Sequence, residues 1–142
     1  MRILGIDFGD RKIGLAISDM LGITAQPLLS YRRRNKKEDA RFFKRVAAEY
    51  DIQEVIVGLP LRMDGSSGTR AEKTRDFAGW LERVLNLPVH LWDERLTTKQ
   101  ADKILREQKL RPKAKKAIED QISAVIILST YLESRRTGSN AG

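Results

Sequence analysis

The residues from 2 to 18 constrain the fold of this chain more than any other stretch. Two apolar runs, residues 2–8 and 13–18, flank a polar turn marked by glycines, which is the pattern of a β-hairpin. Because the first run is apolar almost throughout, we expect its strand to be central, with both faces covered. Asp7 interrupts that run, and a buried carboxylate needs a cation, hydrogen-bond donors or a metal ion beside it. A carboxylate that only caps a tight turn would explain Asp10 well and Asp7 poorly.

Composition excludes several classes of protein and of site. The 142 residues suit one domain, and the absence of cysteine, with a single histidine, excludes disulfides, thiolate sites and histidine-rich zinc sites. No apolar run reaches 18 residues and the chain enters a strand at once, so we expect neither a membrane span nor a signal peptide, and a cytoplasmic location. The formal net charge of +8 favours a polyanionic partner, with nucleic acid as the first candidate.

The rest of the chain alternates strand and helix patterns. Residues 26–31 predict a short edge strand with a proline near its start, residues 53–58 predict a buried strand, and residues 88–92 predict another short strand. The final helix, residues 117–134, is apolar nearly all round and should be largely buried. Three capping-box sequences predict helix starts. They are Asn35 with Glu38, Thr69 with Glu72, and Thr97 with Gln100.

These elements predict an α/β fold. We expect one mixed sheet, built from a three-strand antiparallel meander plus two parallel strands, with helices flanking it. A single domain should cover residues 1–134, and residues 135–142 should form a flexible C-terminal tail.

Three carboxylates from distant parts of the chain are expected to converge at one edge of this sheet. Asp7 lies on the central strand, Glu94 follows the last strand, and Asp120 lies at the start of the final helix. The carboxyl ends of the strands in an α/β sheet are the usual position for a ligand. Asp120 taken alone is also explained by complementation of the helix dipole, and the sequence leaves open whether Asp93 is a ligand or supports one.

Carboxylate oxygens with no cysteine or histidine nearby suit Mg²⁺ or Mn²⁺. Two such ions about 4 Å apart can stabilise both the attacking and the leaving oxygen in phosphodiester cleavage. We therefore predict that Asp7, Glu94 and Asp120 form a catalytic site for two ions of Mg²⁺ or Mn²⁺.

Basic segments and one glycine-rich loop are candidates for contact with a phosphate backbone. Residues 32–37 and 109–116 are either solvated loops or phosphate-binding segments. Residues 58–68 join a strand to a helix through a glycine-rich loop, which is not a Walker loop but can present backbone N–H groups to an anion. The predicted substrate-binding residues are Arg11, Lys12, Arg62, Ser66, Arg95, Lys113, Lys115 and Lys116.

Several motifs resemble the YqgF/RuvX family. They are Gly5-Ile6-Asp7-Phe8-Gly9, Gly58-Leu59-Pro60-Leu61 with Asp64-Gly65-Ser66, Asp93-Glu94-Arg95-Leu96-Thr97-Thr98, and Asp120 before an apolar helix. The resemblance implies an RNase-H-like fold related to Holliday junction resolvases, a nuclease that processes the 5′ end of pre-16S ribosomal RNA, and acidic positions at Asp7, Glu94 and Asp120. One departure is visible, because the family's Asp-x-x-Ala-Ala pattern reads Asp120-Gln121-Ile122-Ser123-Ala124.

Three other functions fit parts of the pattern. An Asp-Gly hairpin also opens actin-like and sugar-kinase ATPases, but those need two such lobes and this chain has length for one. An RNA-binding assembly factor without catalysis would not need all three acids. A DNA junction resolvase would use the same metal chemistry, so the sequence alone does not separate it from an RNA-processing enzyme.

We favour RNA over a DNA junction, and a monomer over a dimer. A resolvase cuts two symmetric strands and therefore needs a two-fold dimer. The apolar stripes are used by the helices that cover the sheet, so no spare apolar face remains for a partner. The few candidates for exposed apolar residues are Met20, Leu21, Phe42 and Trp80.

Overall fold

The structure is a computed structural model that describes residues 2–97 and 119–141, with side chains through residue 96 and from 121 to 136. Its strands are β1 (Arg2–Phe8), β2 (Lys12–Ser18), β3 (Ala25–Arg32), β4 (Ile52–Leu59) and β5 (Val89–Asp93). Its helices are α1 (Lys36–Glu49), α2 (Thr69–Leu85) and α3 (Glu119–Ala141), with a short 3₁₀ helix at Glu94–Thr97. None of the helices in these ranges is long and apolar enough to cross a membrane.

The five strands form one mixed sheet in the order β3-β2-β1-β4-β5. β1 pairs antiparallel with β2 and parallel with β4, and β5 pairs parallel with β4. The predicted fold class and the central position of β1 are both confirmed. β3 forms one edge, where Pro27 lies next to a register shift in its pairing with β2, and a proline is tolerated there because an edge strand has one unpaired side.

Each face of the sheet carries its own apolar core. Successive residues of β1 face the two cores in turn. Leu4, Ile6 and Phe8 pack toward α1 and α2, whereas Ile3 packs toward α3. By the same alternation Asp7 lies on the α3 face. The final helix is largely buried, as predicted. Its buried apolar residues are Ile122, Ala124, Val125, Ile127, Leu128 and Leu132.

α3 runs antiparallel to β1 and β4. The side chain of Ile127 lies against Gly58 near the end of β4, whereas Tyr131 and Arg135 reach Glu54 near its start. The first turn of α3 therefore lies at the carboxyl end of the parallel strands.

The helix starts were predicted with mixed success. Asn35 caps α1 as predicted, since its side-chain oxygen accepts the Glu38 backbone N–H at 2.9 Å. The prediction for Thr69 was wrong, because α2 begins at Thr69 itself and Gly68 precedes it without a side-chain cap. The Gly68 carbonyl accepts the Glu72 backbone N–H at 3.1 Å, which is the first hydrogen bond of the helix. The third capping box includes Gln100, which lies outside the described residues.

The C-terminal helix is longer than predicted. α3 continues to Ala141 rather than ending at residue 134, so the described part of the expected tail is helical. Arg135 explains part of the difference, because its guanidinium donates to Glu54 Oε1 at 3.1 Å and holds this turn against β4. The division into a domain and a flexible tail stays a prediction.

Gly5→Ala should destabilise the protein. A Cβ at Gly5 would lie 2.7 Å from the Leu128 Cβ and 3.2 Å from the Ala124 carbonyl oxygen, so α3 would have to move away from β1. Overpacking of this kind costs about 1–3 kcal/mol. Gly79→Ala is the matched control, because its Cβ would meet only the Arg83 guanidinium at 3.6 Å, and it should gain about 0.5–1 kcal/mol from helix propensity. Urea unfolding measures both, and equal stabilities would contradict the tight contact of α3 with β1.

Candidate active site

Asp7 lies one residue before the end of β1, with a glycine beside it on each neighbouring strand. Gly14 of β2 pairs with it directly. On β4 the residue next to it is Gly58, which follows the pairing of Ile6 with Val57. The Asp7 carboxylate is thus placed at the carboxyl end of the parallel strands with no neighbouring side chain from either strand to cover it.

Glu94 reaches the same place from the 3₁₀ helix that follows β5. Its Oε1 lies 2.6 Å from the point where a Cβ on Gly58 would be, so the carboxylate crosses directly over this glycine. Asp7 acts electrostatically on Glu94, which places the two carboxylates within range of one another. The missing side chain at Gly58 therefore allows acids from the ends of β1 and β5 to meet across β4.

Glu94 and its neighbour Asp93 have opposite electrostatic environments. Burial and the negative charges of Asp7 and Asp93 together raise the pKa of Glu94 to about 7, against the opposing charge of Arg70. Hydrogen bonds from Arg95 hold the pKa of Asp93 below its ordinary value. Added positive charge would stabilise the ionised forms of Glu94 and Asp7, and their oxygen donors are those that Mg²⁺ and Mn²⁺ prefer. The two of the three predicted metal ligands whose side chains are described, Asp7 and Glu94, therefore fit such an ion.

Arg95 holds the strand end and the neighbouring loop together. Its Nη2 donates to Asp93 Oδ2 at 2.7 Å, and its backbone N–H donates to Asp93 Oδ1 at 2.9 Å. Its Nη1 lies 3.4 Å from the Met63 carbonyl oxygen. The Arg95 guanidinium is thus held against Asp93 and the loop. The predicted contact of Arg95 with substrate stays a prediction, and the role of Asp93 toward an ion stays open.

The loop between β4 and α2 is folded by its own hydrogen bonds. Asp64 Oδ1 accepts the backbone N–H of Ser66 at 2.8 Å and its hydroxyl at 2.6 Å. Gly65 has φ of 88°, a conformation that favours glycine, and its N–H donates to the Arg62 carbonyl at 2.8 Å. Arg62 and Ser66 are both exposed, so this loop presents two of the predicted substrate-binding residues on a stiff turn beside Arg95.

Asp120 lies in the first turn of α3, at the same end of the sheet as Asp7. The Ala124 carbonyl oxygen lies against Gly5. Asp120 is about 6 Å back along the helix axis from Ala124, and Asp7 is about 7 Å along the strand from Gly5, so the two backbones lie at one level. Among the side chains that the structure describes, no group of three metal-binding residues occurs. The Asp120 side chain lies outside them, and its role stays a prediction.

The remaining predicted substrate-binding residues divide into two sets. Arg11 and Lys12 are exposed at the β1–β2 turn, and Arg11 lines a basic depression with the arginines that end β3 and follow it, Arg32, Arg33 and Arg34. The first basic run thus lies beside this turn. Lys113, Lys115 and Lys116, with the rest of the run 109–116, lie outside the described residues.

Two features of the site were not predicted from the sequence. Arg70, in the first turn of α2, acts on Glu94, and its position just after the glycine-rich loop is the signal that could have found it. The pairing of Arg95 with Asp93 is the other. An arginine two residues after an aspartate at a strand end does not reveal whether it binds substrate or its own neighbour.

Comparison with known proteins points to one family. The model of the family described as "RuvX: Holliday junction resolvase" matches residues 1–134. A protein of Koribacter versatilis named "Putative pre-16S rRNA nuclease" is 48% identical over 134 residues, covering 94% of this chain and 88% of its own length. A protein of Halothermothrix orenii with the same name is 48% identical over 132 residues, covering 93% and 94%.

Among solved structures, the chain is similar to Thermus thermophilus RuvC in complex with a Holliday junction substrate. The TM-score is 0.70 at 15% identity, and the match covers 98% of this chain and 97% of the other. The fowlpox virus resolvase in complex with Holliday junction DNA gives a TM-score of 0.59 at 16% identity, covering 95% and 99%. These likenesses confirm the RNase-H-like fold that the sequence motifs implied.

Relative to the parent, Glu94→Gln should stabilise the metal-free protein at pH 8 and change its stability little at pH 5. The folded-state pKa of about 7 lies above the ordinary value of 4.5, so the stability linked to this group is complete below about 4.5 and is lost as the pH rises through 7. Allowing for solvent screening, we expect a gain on the order of 1–2 kcal/mol at pH 8 and little at pH 5. Urea unfolding in a chelator measures it.

Asp93→Asn is the matched comparison for that experiment. The pKa of Asp93 is lowered by its hydrogen bonds with Arg95, so its ionised form stabilises the fold and its loss should lower stability at pH 8. A loss of stability at pH 8 in both variants would mean that Glu94 is not in a repulsive environment.

Proposed function

The chain belongs to the RuvX family, and from this membership we propose that it is a metal-dependent nuclease that processes the 5′ end of pre-16S ribosomal RNA. The observation that carries the proposal is the approach of Glu94 to Asp7 across Gly58, at the carboxyl end of β1 and β4. Relatives at 48% identity bear the name of a pre-16S rRNA nuclease, which supports this substrate. The basic charge of the chain supports a nucleic acid of either kind.

Asp7, Glu94 and Asp120 would hold the ions. Asp7 lies on the central strand of the sheet, so its carboxylate would be held in a fixed position toward an ion. Divalent ions bound there supply charge neutralisation and activation of water for phosphodiester hydrolysis. Two ions of Mg²⁺ or Mn²⁺ are the proposed set.

The protein's own groups fix where these carboxylates lie and what surrounds them. Arg95 and Asp93 hold the start of the 3₁₀ helix, so Glu94 leaves the sheet at a fixed point. Arg70 contributes positive charge near Glu94, which is favourable for a phosphate group that approaches the site. Arg62 and Ser66 are exposed on the adjoining loop and are proposed to contact the substrate backbone.

A DNA junction resolvase is the second candidate. The family description names this activity. We favour RNA because the RNA-processing name is borne by full-length relatives at 48% identity, whereas the solved resolvases are 15–16% identical and indicate the fold alone. A single site in a monomer also suits one cut in one strand.

Asp7→Asn should remove nuclease turnover without unfolding the protein. The change keeps the side-chain shape and removes the charge that holds the ions, and loss of metal catalysis is worth several kcal/mol, or about 1,000-fold in rate. Thermal stability should stay the same or rise slightly, because repulsion with Glu94 is relieved. Calorimetric titration with Mn²⁺ gives a readout other than activity, and its affinity should fall.

Asp51→Asn is the control for that variant. Asp51 is exposed before β4, at the opposite end of the sheet, and its φ of 52° suits asparagine. It should bind Mn²⁺ and cleave as the parent does. Cleavage by Asp7→Asn at the parent rate would mean that the site is wrongly assigned.

The substrate is tested by offering the purified protein two nucleic acids, with Mg²⁺ and then with Mn²⁺. One is a precursor RNA that carries the 5′ leader of the small-subunit ribosomal RNA, and the other is a mobile four-way DNA junction. We expect cleavage within the leader and no paired cuts in the junction. Symmetric paired nicks in the junction, no cleavage of the RNA and a dimer in sedimentation would establish the resolvase instead.

A further inference from the structure

A cleft lies between α1 and α2 on the face of the sheet opposite the carboxylates. Its volume is about 700 Å³, which is within the range of cavities that hold small ligands or parts of larger ones. Aromatic side chains form its floor, and charged side chains of α1, α2 and the β1–β2 turn form its rim. We call it the α1–α2 cleft.

Three aromatic rings form the floor. Phe8 and Phe77 stack with their centroids 4.4 Å apart, and Trp80 lies 5.8 Å from Phe77. Phe8 and Phe77 are each 8% exposed, and the Arg33 guanidinium lies over the Phe8 ring at 4.7 Å. Trp80 is the most exposed of the three. It therefore offers the aromatic surface on which an incoming planar group can stack.

The rim carries more positive than negative charge. Lys36, Lys73 and Arg83 are exposed around the opening. Lys73 pairs loosely with Asp10 at 3.7 Å, a surface contact that contributes little and yields readily.

Two further carboxylates line the cleft. The buried Asp39 accepts the Tyr31 hydroxyl at 2.6 Å and the Arg34 backbone N–H at 3.0 Å, so its charge is used within the protein. Asp76 is exposed, as is Asp10, and these two carboxylates oppose the binding of an anion. With Arg33 and Arg75 also lining the cleft, five cations oppose three carboxylates.

The cleft is connected to the candidate active site by two routes. Phe8 follows Asp7 directly on β1, so the floor and the carboxylate occupy opposite faces of one strand end. On α2, Arg70 acts on Glu94, and Lys73, Phe77, Trp80 and Arg83 then follow at spacings of three or four residues. Residues with these spacings share one face of a helix, so a single face of α2 leads from the carboxylates into the cleft.

We propose that the α1–α2 cleft binds a single-stranded segment of the nucleic acid that flanks the cleavage position, with an unpaired base stacked on Trp80 and its phosphates held by Lys36, Lys73 and Arg83. Aromatic stacking surfaces combined with a positive groove are the means by which proteins hold unpaired strands. A base in a duplex would have to unpair before it could enter a cleft of this size. The proposal rests on the nuclease function for its biological meaning, but the binding itself is independent of catalysis.

The test measures binding in a chelator, where no cleavage occurs. The probe is a fluorescein-labelled single-stranded RNA of about 12 nucleotides, a length within the site sizes of single-strand-binding modules, with a blunt RNA duplex of the same sequence for comparison. The cleft variant combines Lys36→Gln, Lys73→Gln and Arg83→Gln. The control variant combines Arg41→Gln, Lys44→Gln and Arg45→Gln, which are exposed positions of α1 outside the cleft and remove the same total charge.

The cleft variant should bind the single strand at least about tenfold more weakly than the control variant, measured by anisotropy at low salt. Three lost phosphate contacts should reduce the slope of log affinity against log salt by about 2, since each contributes about 0.7 on a single strand. Equal weakening in the two variants, or an unchanged slope in the cleft variant, would overturn the proposal, because the effect would then be that of net charge alone.

Stacking on Trp80 is tested separately by fluorescence. The chain has two tryptophans, Trp80 and Trp92, so Trp92→Phe leaves Trp80 as the single reporter without disturbing the cleft. Single-stranded RNA should quench its emission much more than the duplex does. In the parent background, Trp80→Ala should weaken binding by about tenfold and Trp80→Phe should restore most of it. Absence of quenching, or full affinity in a folded Trp80→Ala variant, would overturn the stacking contact.

The outcomes distinguish this proposal from the proposed function. Binding that depends on the cleft, in a protein that cleaves no nucleic acid with Mg²⁺ or Mn²⁺, would support the cleft and reject the nuclease. Cleavage at the parent rate, together with single-strand affinity at the parent level in the cleft variant, would support the nuclease and reject the cleft.

Discussion

The arrangement of this protein depends on close approach at two glycines, Gly5 and Gly58, on the α3 face of the sheet. At Gly5 the backbone of β1 lies against Ala124 and Leu128 of α3, closer than any side chain would allow. At Gly58 the vacant space is taken by Ile127 on one side and by the Glu94 carboxylate on the other. The same absence of side chains that lets the helix cover the sheet also lets two acids meet, so packing and chemistry rest on one geometric condition.

Most of the fold could be predicted from local pattern, because the strands are apolar and the turns are marked. The alternation and β-branched composition of the strands identified all five, and the uniformly apolar final helix was correctly expected to be buried. The errors came at two helix ends. Thr69 has the composition of a cap, yet α2 begins at Thr69 itself, after Gly68. Arg135 holds the longer end of α3 through an ion pair with Glu54, which is far away in sequence.

The candidate site was predictable in its residue types but not in its electrostatics. The positions of Asp7 and Glu94 at the ends of strands predicted them as site residues. What distinguishes Glu94 from Asp93 is that Arg95 turns back on its neighbour while Glu94 is directed over Gly58, and a sequence of three adjacent charged residues contains no information on which of them pair. The α1–α2 cleft was not predicted from the sequence, for a related reason. Its aromatic residues follow the spacing of an ordinary core face, and Phe42, expected to be exposed, stacks on Tyr31 instead.

The position of α3 after every other described element has a consequence for folding during synthesis. Domains fold progressively as the chain leaves the ribosome, and α3 follows every other described element in the chain. A nascent chain released only as far as the 3₁₀ helix after β5 carries Asp7 and Glu94, but it leaves the face that holds them bare, with Ile3, Ile56 and the two glycines uncovered. This face is covered only when α3 docks on the sheet. The face that holds the two carboxylates is therefore the last part of the described fold to be covered.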